Sequence, residues 1–444
     1  MQNLAEIHLW GKLVGALVYD PASQISRFEY SSNWIQSGVE IAPIHMPLPT
    51  SSSASRKYQF PNLSPTTYHG LPALFADTLP DDFGNAVINA WLARNGRDSN
   101  SFNALERLLY IGNRGMGALE FEPAIARAKS TSQQLELNSL IQMAQTILDQ
   151  RSKLAKNIKD DNDDAMSALF QVGTSAGGAR AKALVAINKD RTELRSGQVD
   201  MPAGFEHFLL KFDGMEEHKT DSEVFGDPQG YGRMEYAYYL MAKDAGINIS
   251  HSELFIDGER AHFITQRFDR GSDKNPNRKK HYASLCSIDH ADYKQPGSYS
   301  YEQLLSVARQ LKLPRQDAIE IYRRMVFNVI ARNHDDHTKN TGFILDNPKA
   351  AWRLSPAFDI AYSYKKDSPW VNAHQMSING KRDNFSRDDL FVVAELIGNF
   401  KKESQQIFDQ VMDVVKNWQN YAEQAGVFEQ LTQEIKTNLR LAIK

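Results

Sequence analysis

The sequence predicts an α+β fold in two lobes, a mixed β/α N-terminal lobe followed by an all-α C-terminal lobe. Three observations carry this expectation. The opening residues Ile7–Tyr19 alternate apolar and polar side chains around Gly11, the period of a half-buried strand. Short β-rich runs recur between residues 182 and 268. From Tyr301 onward the apolar residues return on the helical period. A chain of 444 residues exceeds one ordinary core, so two or three domains are expected, with boundaries set at 1–125, 126–270 and 271–444.

Taken in order, Ile7–Tyr19 and Phe28–Tyr30 read as a small β-meander, and residues 50–56 as a polar loop. Helices are predicted over 86–95, over 103–110 with Gly112 as C-cap, and over 131–150. Residues 151–165 are strongly charged and mark a candidate junction or a solvated loop. Strands follow at 182–187, 206–212, 253–256 and 261–268, with a helix from about 233 to 245 stopped by Gly246. Helices then cover about 301–312, 316–332, 387–399, 403–423 and 427–442, and Ser386 with Asp389 forms a capping-box pattern.

Composition narrows the function classes. Hydrophobic residues make up 41% and charged residues 24%, ordinary for a globular protein. With 51 basic and 54 acidic residues, the net charge of −3 gives no global polyanion-binding signal. Cys286 is the one cysteine, which excludes an intramolecular disulfide and a cysteine metal cage. The opening Met1-Gln-Asn-Leu-Ala-Glu-Ile-His lacks the pattern of a secretory leader, and no apolar run approaches a membrane span. A cytoplasmic enzyme without membrane contact is the expectation.

The chemistry concentrates in Arg332-Asn-His-Asp-Asp-His-Thr-Lys-Asn340, a polar loop between an amphipathic helix and the short strand Gly342–Leu345. Downstream, Phe358-Asp359 places a further acid behind another short strand. Phosphoryl transfer needs a carboxylate to orient the attacking hydroxyl and an amide oxygen and a second carboxylate to hold Mg²⁺. It also needs a lysine for the phosphates and a glycine-rich turn around them. The sequence supplies these groups in order. Val172-Gly-Thr-Ser-Ala-Gly-Gly-Ala-Arg-Ala-Lys182 is a glycine-rich turn leading into a strand, and Lys211 ends the next one. Glu235, on the following helix, is a candidate partner for that lysine, although a solvated position is equally compatible. Asp335 and Asn340 are five residues apart, the spacing of a kinase catalytic loop. His337 reads as holding Asp335 or Asp359 in place, with a core histidine bonded to a backbone carbonyl as the alternative, and Asp336 as a helper or a solvated acid.

Together these residues resemble the HipA-like serine/threonine kinases, toxins of bacterial toxin–antitoxin pairs. The likeness runs through Asp335-x-His337-x-x-Asn340 and Phe358-Asp359, and through Ser175-Ala-Gly-Gly-Ala-Arg-Ala-Lys182 and Phe208-Leu-Leu-Lys211. It continues in Glu235–Lys243 and Gln266-Arg-Phe-Asp-Arg270, and near the N-terminus in Phe75–Asp81 and Ile111–Ala118. The resemblance implies a protein-kinase-like, HipA-type fold with ATP and Mg²⁺ as cofactors. Asp335 would be the catalytic base, with His337 and Lys339 beside it, and Asn340 and Asp359 the metal ligands. Ser175, Ala176, Gly177, Gly178, Ala179, Arg180 and Lys182 would cradle the phosphates together with Lys211 and Glu235. Gln266, Arg267 and Phe268 would form the adenine hinge. Ser175 would be the autophosphorylation site that switches the enzyme off, with Thr174 as the neighbouring alternative. Expected partners are a HipB-like helix-turn-helix antitoxin, operator DNA reached mainly through it, and a protein substrate such as an aminoacyl-tRNA synthetase. Two readings compete: a metal-dependent phosphohydrolase built on His334-Asp-Asp-His337, and a pseudokinase scaffold that binds antitoxin and DNA.

Overall fold

Alternating burial along Leu4–Leu9 (β1), Lys12–Asp20 (β2) and Ile25–Tyr30 (β3) turns the opening residues into an antiparallel meander. In this computed structural model, residues 3–51, 56–80, 82–98, 101–125, 135, 137–150, 180–214 and 229–443 are described. Lys57–Tyr58 (β4) and Leu119–Glu122 (β5) extend the meander to a five-stranded sheet, order β4-β3-β2-β1-β5. Ala5, Ile7 and Leu9 bury one face of β1, and Phe28, Phe75 and Phe121 meet edge to face behind the sheet. Gly15 in β2 allows no side chain, because a Cβ there would lie 2.1 Å from the Glu29 carbonyl oxygen.

The second sheet contains Lys182–Asn188 (β6), Leu194–Ser196 (β7), Phe205–Lys211 (β8), Ser252–Asp257 (β9) and Arg260–Gln266 (β10). Its order is β7-β6-β8-β10-β9. β6 is buried along nearly its whole length, as a central strand covered on both faces must be. Val185, Ile187 and Phe208 pack against Phe83 and Val87 of the Asp82–Arg94 helix and Leu140 and Ile141 of the Leu137–Gln150 helix. Ala186, Met201 and Phe205 form a smaller core elsewhere in the same unit. The expected helix 103–110 is present as Ala104–Ile111, with an Asn103–Glu106 capping box at its start and Gly112 closing it.

By contacts the chain forms two compact units, the first comprising 1–39, 48–232 and 253–281 and the second 40–47, 233–252 and 282–444. These units do not follow the expected boundaries at 125 and 270. From Arg233 on, the Tyr231–Asp244 helix belongs with the second unit. Its Tyr238 is fully buried there against Phe327 and Trp418 and donates to the Ala331 carbonyl at 2.6 Å.

The second unit is organised on the Arg315–Ile330 helix, which buries Tyr322, Met325, Val326, Phe327, Val329 and Ile330. The expected all-α C-terminal lobe is corrected here. A three-stranded sheet, His281–Ser284 (β11), Gly342–Leu345 (β12) and Arg353–Leu354 (β13), interrupts the helices. The chain between Asn340 and Asp359 must turn back on itself, and paired strands satisfy its backbone groups as it does so. Gly342 is required at the start of β12, since a Cβ would press on the Tyr282 ring at 2.3 Å. The expected helix 403–423 is broken at Asn417 into Lys401–Lys416 and Trp418–Ala425. The break lets Trp418 donate from Nε1 to the Thr432 carbonyl at 3.0 Å while its ring stays buried. The Ser386–Asp389 capping box forms in both directions. Among the described residues, no helix is long and apolar enough to cross a membrane.

Candidate active site

The helix Arg315–Ile330 ends in a sharp reversal, because Arg332 takes a left-handed backbone conformation with φ 58°. Its side chain is anchored by donation from Nε to the Asn438 carbonyl at 2.7 Å and by stacking on Tyr364. The loop that follows is tied to the segment beyond Asp359. Asn333 and Ser363 form a parallel bridge. His334 N–H donates to Ser363 O at 3.1 Å, and Ser363 N–H to Arg332 O at 3.0 Å. Asp359 is itself left-handed, φ 56°, a conformation that Asp and Asn tolerate better than other side chains.

From His334 to His337 burial alternates, with His334 and Asp336 buried and Asp335 and His337 partly exposed. The Asp335 side chain is 46% exposed and His337 21%, whereas Asp336 is 1% exposed. Asp336, expected as a helper or a solvated acid, is not solvated. It accepts hydrogen bonds from Tyr301 Oη at 2.9 Å, His374 Nδ1 at 2.8 Å and the Gln375 N–H at 2.8 Å. His337 Nε2 lies 3.8 Å from the Asp335 carboxylate. The turn Thr338–Asn340 is pinned by Thr338 Oγ1 donating to Ala291 O at 2.6 Å. The Lys339 ammonium sits over the Tyr293 ring, 5.2 Å from its centre. Asn340 donates from Nδ2 to the Asp335 carbonyl at 2.8 Å, which leaves its Oδ1 as the acceptor.

Asn340 and Asp359 line one cavity, together with Asn333, Asp336 and Phe358. An amide oxygen and a carboxylate are hard oxygen donors, the chemistry that suits Mg²⁺. The alternative cluster does not converge. His334 is buried, donates from Nδ1 to Val371 O at 3.1 Å, and is held far below the usual imidazole range by burial, His374 and Arg332. Asp335 and His337 are partly exposed, while His334 and Asp336 are buried. Among the described residues, the acids and histidines whose ligand atoms do converge are Glu6, His8 and Glu122, exposed to half-buried on the first sheet.

In the first unit, Lys182 and Lys211 are directly opposed across β6 and β8, and both are buried. Arg180 stacks on Tyr231, with its guanidinium 5.3 Å from the ring centre. Gln266 donates to Glu206 at 2.9 Å. Arg267 forms a fork onto Asp269, from Nε to Oδ1 at 2.9 Å and from Nη2 to Oδ2 at 2.7 Å, while its backbone N–H donates to His207 O. Of the expected hinge, the Arg267 guanidinium is therefore already engaged within its own unit. Phe268 follows on the chain, between Arg267 and Asp269. Glu235 is buried on its helix in the second unit, not solvated. Ser175, Ala176, Gly177, Gly178 and Ala179, with Thr174 and the charged segment 151–165, lie outside the described residues.

Tyr301, His374 and Asp269 were missed in the sequence. Tyr301 and His374 lie 35 and 38 residues from Asp336, with no local pattern joining them. Asp269 had a signal, an acid flanked by two arginines at the end of an apolar strand.

The chain matches the HipA N-terminal domain family over residues 5–122 and the HipA-like C-terminal domain family over residues 174–418. No curated protein matches it as a relative. Among solved structures it is similar to the Shewanella oneidensis MR-1 toxin–antitoxin complex of HipA, HipB and operator DNA. The identity is 17%, over 99% of this chain and 96% of that one, with a TM-score of 0.66, a likeness of fold. The Helicobacter pylori proinflammatory kinase CtkA also matches, at 11% identity over 60% of this chain and 90% of that one, with a TM-score of 0.34.

Proposed function

Because this chain belongs to the HipA family, we propose that it is an ATP- and Mg²⁺-dependent serine/threonine protein kinase, the toxin of a toxin–antitoxin pair. The observation that carries the reading is the joined pair of loops, in which Asn340 and Asp359 share a cavity and Asp335 stands half-exposed beside them. Asp335 accepts the proton of the attacking hydroxyl, and His337 restricts its carboxylate from one side. Asn340 Oδ1 and the Asp359 carboxylate hold the metal, which when bound neutralises charge on the phosphate oxygens. Lys182 and Lys211 hold the phosphates electrostatically, and the backbone of Gln266–Phe268 receives the adenine. The phosphohydrolase alternative loses its geometric basis with the divergence of His334 and His337.

The partners follow from the family and from the complex named above. A HipB-like helix-turn-helix antitoxin binds this protein, and operator DNA is reached mainly through it. The net charge of −3 fits a chain that does not hold DNA by itself. The substrate is a cytoplasmic protein of translation, of the aminoacyl-tRNA synthetase kind.

Two measurements test the reading. ATP with Mg²⁺ raises the melting temperature by mass action, and Lys211→Met reduces that rise by more than half at fixed ATP. A full-sized rise in the variant would remove Lys211 from the phosphate site and transfer the role to Lys182. In protein incubated with ATP, peptide mapping locates phosphate on Ser175, and its appearance tracks loss of activity. The added charge, about −1.5 to −2, repels the nucleotide phosphates beside it. Self-inactivation at the normal rate in a Ser175→Ala variant would overturn this regulation.

A further inference from the structure

The Asp336 carboxylate closes a buried hydrogen-bonded circuit that begins and ends on the catalytic loop. Asn333 Nδ2 donates to Asn328 Oδ1 at 2.9 Å, and Asn328 Nδ2 donates to Tyr301 Oη at 3.1 Å. Tyr301 Oη in turn donates to Asp336 Oδ2 at 2.9 Å. All four side chains are at least nine-tenths buried. Each link has one direction, because a tyrosine hydroxyl has a single proton and a carboxylate has none. Asp336 is therefore the terminal acceptor of the circuit. On its other side it takes the Gln375 N–H and the His374 ring, from the segment that follows Asp359.

We propose that Asp336 is a positioning residue, clamping the loop so that the Asp335 carboxylate points steadily at the substrate hydroxyl. The assignment rests on the kinase reading above. Asp336 and Asp335 are adjacent on the chain, one buried and the other half-exposed, so holding Asp336 in place restrains the backbone that carries Asp335. The directed hydrogen bonds of the circuit favour a single geometry. A base needs that geometry, because a misplacement of about 1 Å costs on the order of a hundredfold in rate. Asp336→Asn is a sharp probe. Its amide nitrogen replaces one of the two acceptor oxygens, so at least one of the three contacts must be lost or reversed.

The test uses the full chain with labelled ATP and Mg²⁺, reading phosphate transfer to the protein itself. Asp336→Asn lowers kcat by about a hundredfold and Tyr301→Phe by about tenfold. KM for ATP and the ATP-induced melting shift change much less than kcat does. Both residues line the cavity of Asn340 and Asp359 but spend their hydrogen bonds on the protein. In an Asp335→Asn background neither substitution lowers the residual rate further, because both act through Asp335. A well-folded Asp336→Asn protein with wild-type kcat would overturn the assignment. So would losses that add fully in the double variant, or a KM change that matches the kcat change. If Asp336→Asn does not fold, Tyr301→Phe and its double variant decide by the same criteria. A wild-type rate in Asp335→Asn alone is a different failure, that of the kinase site itself.

Discussion

Replacing Asp335 by Asn lowers phosphoryl transfer at least about a thousandfold, roughly 4 kcal/mol of barrier, and leaves the melting temperature nearly unchanged. The two halves of this expectation have separate grounds. The loss in rate follows from removing the one carboxylate of the loop that stands outward next to Asn340. Stability is spared because the side chain is half-exposed and the loop's internal bonds run through the Asp335 carbonyl and the buried Asp336. Asp359→Asn causes a comparable loss and also raises the Mg²⁺ concentration needed for half-maximal rate, since a neutral amide replaces a charged ligand. Asn is the right probe at Asp359. At φ 56° an alanine would add about 1 kcal/mol or more of backbone strain and confuse folding with catalysis. Transfer from labelled ATP, measured beside a melting curve, settles both variants. A folded Asp335→Asn protein that transfers phosphate at the wild-type rate would dismiss the site.

The largest effect on stability is expected at Asp269. Its carboxylate is fully buried between Arg267 and Arg270, which approach to 2.7 and 2.6 Å, and it also accepts the Gly117 N–H at 2.7 Å. The same arginines donate to the carbonyls of Gly115 and Gly117. One acid thus fastens the loop before β5 to the end of β10, although the two are 152 residues apart. Asp269→Ala leaves two guanidiniums buried without their counter-ion and costs about 3–5 kcal/mol. Urea unfolding of the variant reads this directly, and a change below about 1 kcal/mol would show that the cluster is dispensable.

The charge at Asp269 also sets a pH dependence. Burial pushes its carboxyl up, but Arg267, Arg270 and the Gly117 N–H outweigh burial and hold it well below the usual carboxylate range. A group depressed in the folded state contributes fully above its unfolded value, near 3.9, and loses that contribution as pH falls toward the folded value. The gap in stability between wild type and Asp269→Asn therefore stays constant from pH 7 to about 5 and narrows below about 4. A gap that widened in acid would reverse the assignment of charge.

Local order was readable in the sequence because its causes are local. The meander of β1–β3 follows from period-2 alternation, the Ala104–Ile111 helix from its period and Gly112, and the helix start at Ser386–Asp389 from capping residues three positions apart. The Asp335-to-Asn340 spacing was legible for the same reason, since one loop carries both groups. Only tertiary structure decided what needs contacts distant along the chain. The pairing of β6 with β8 places Lys182 opposite Lys211, and no pattern within either strand specifies that register. Helix breaks such as Asn417 depend on what Trp418 finds to bury itself against, here Tyr238, which is 180 residues earlier in the chain. Asp336 illustrates the difference most clearly. Its type and position read equally as a solvated acid, and its burial is made possible by Tyr301 and His374, which only the packing of distant segments brings within 3 Å of its carboxylate. A buried carboxylate is stable only where such donors already surround it, so its function belongs to the folded structure and not to the segment that carries it.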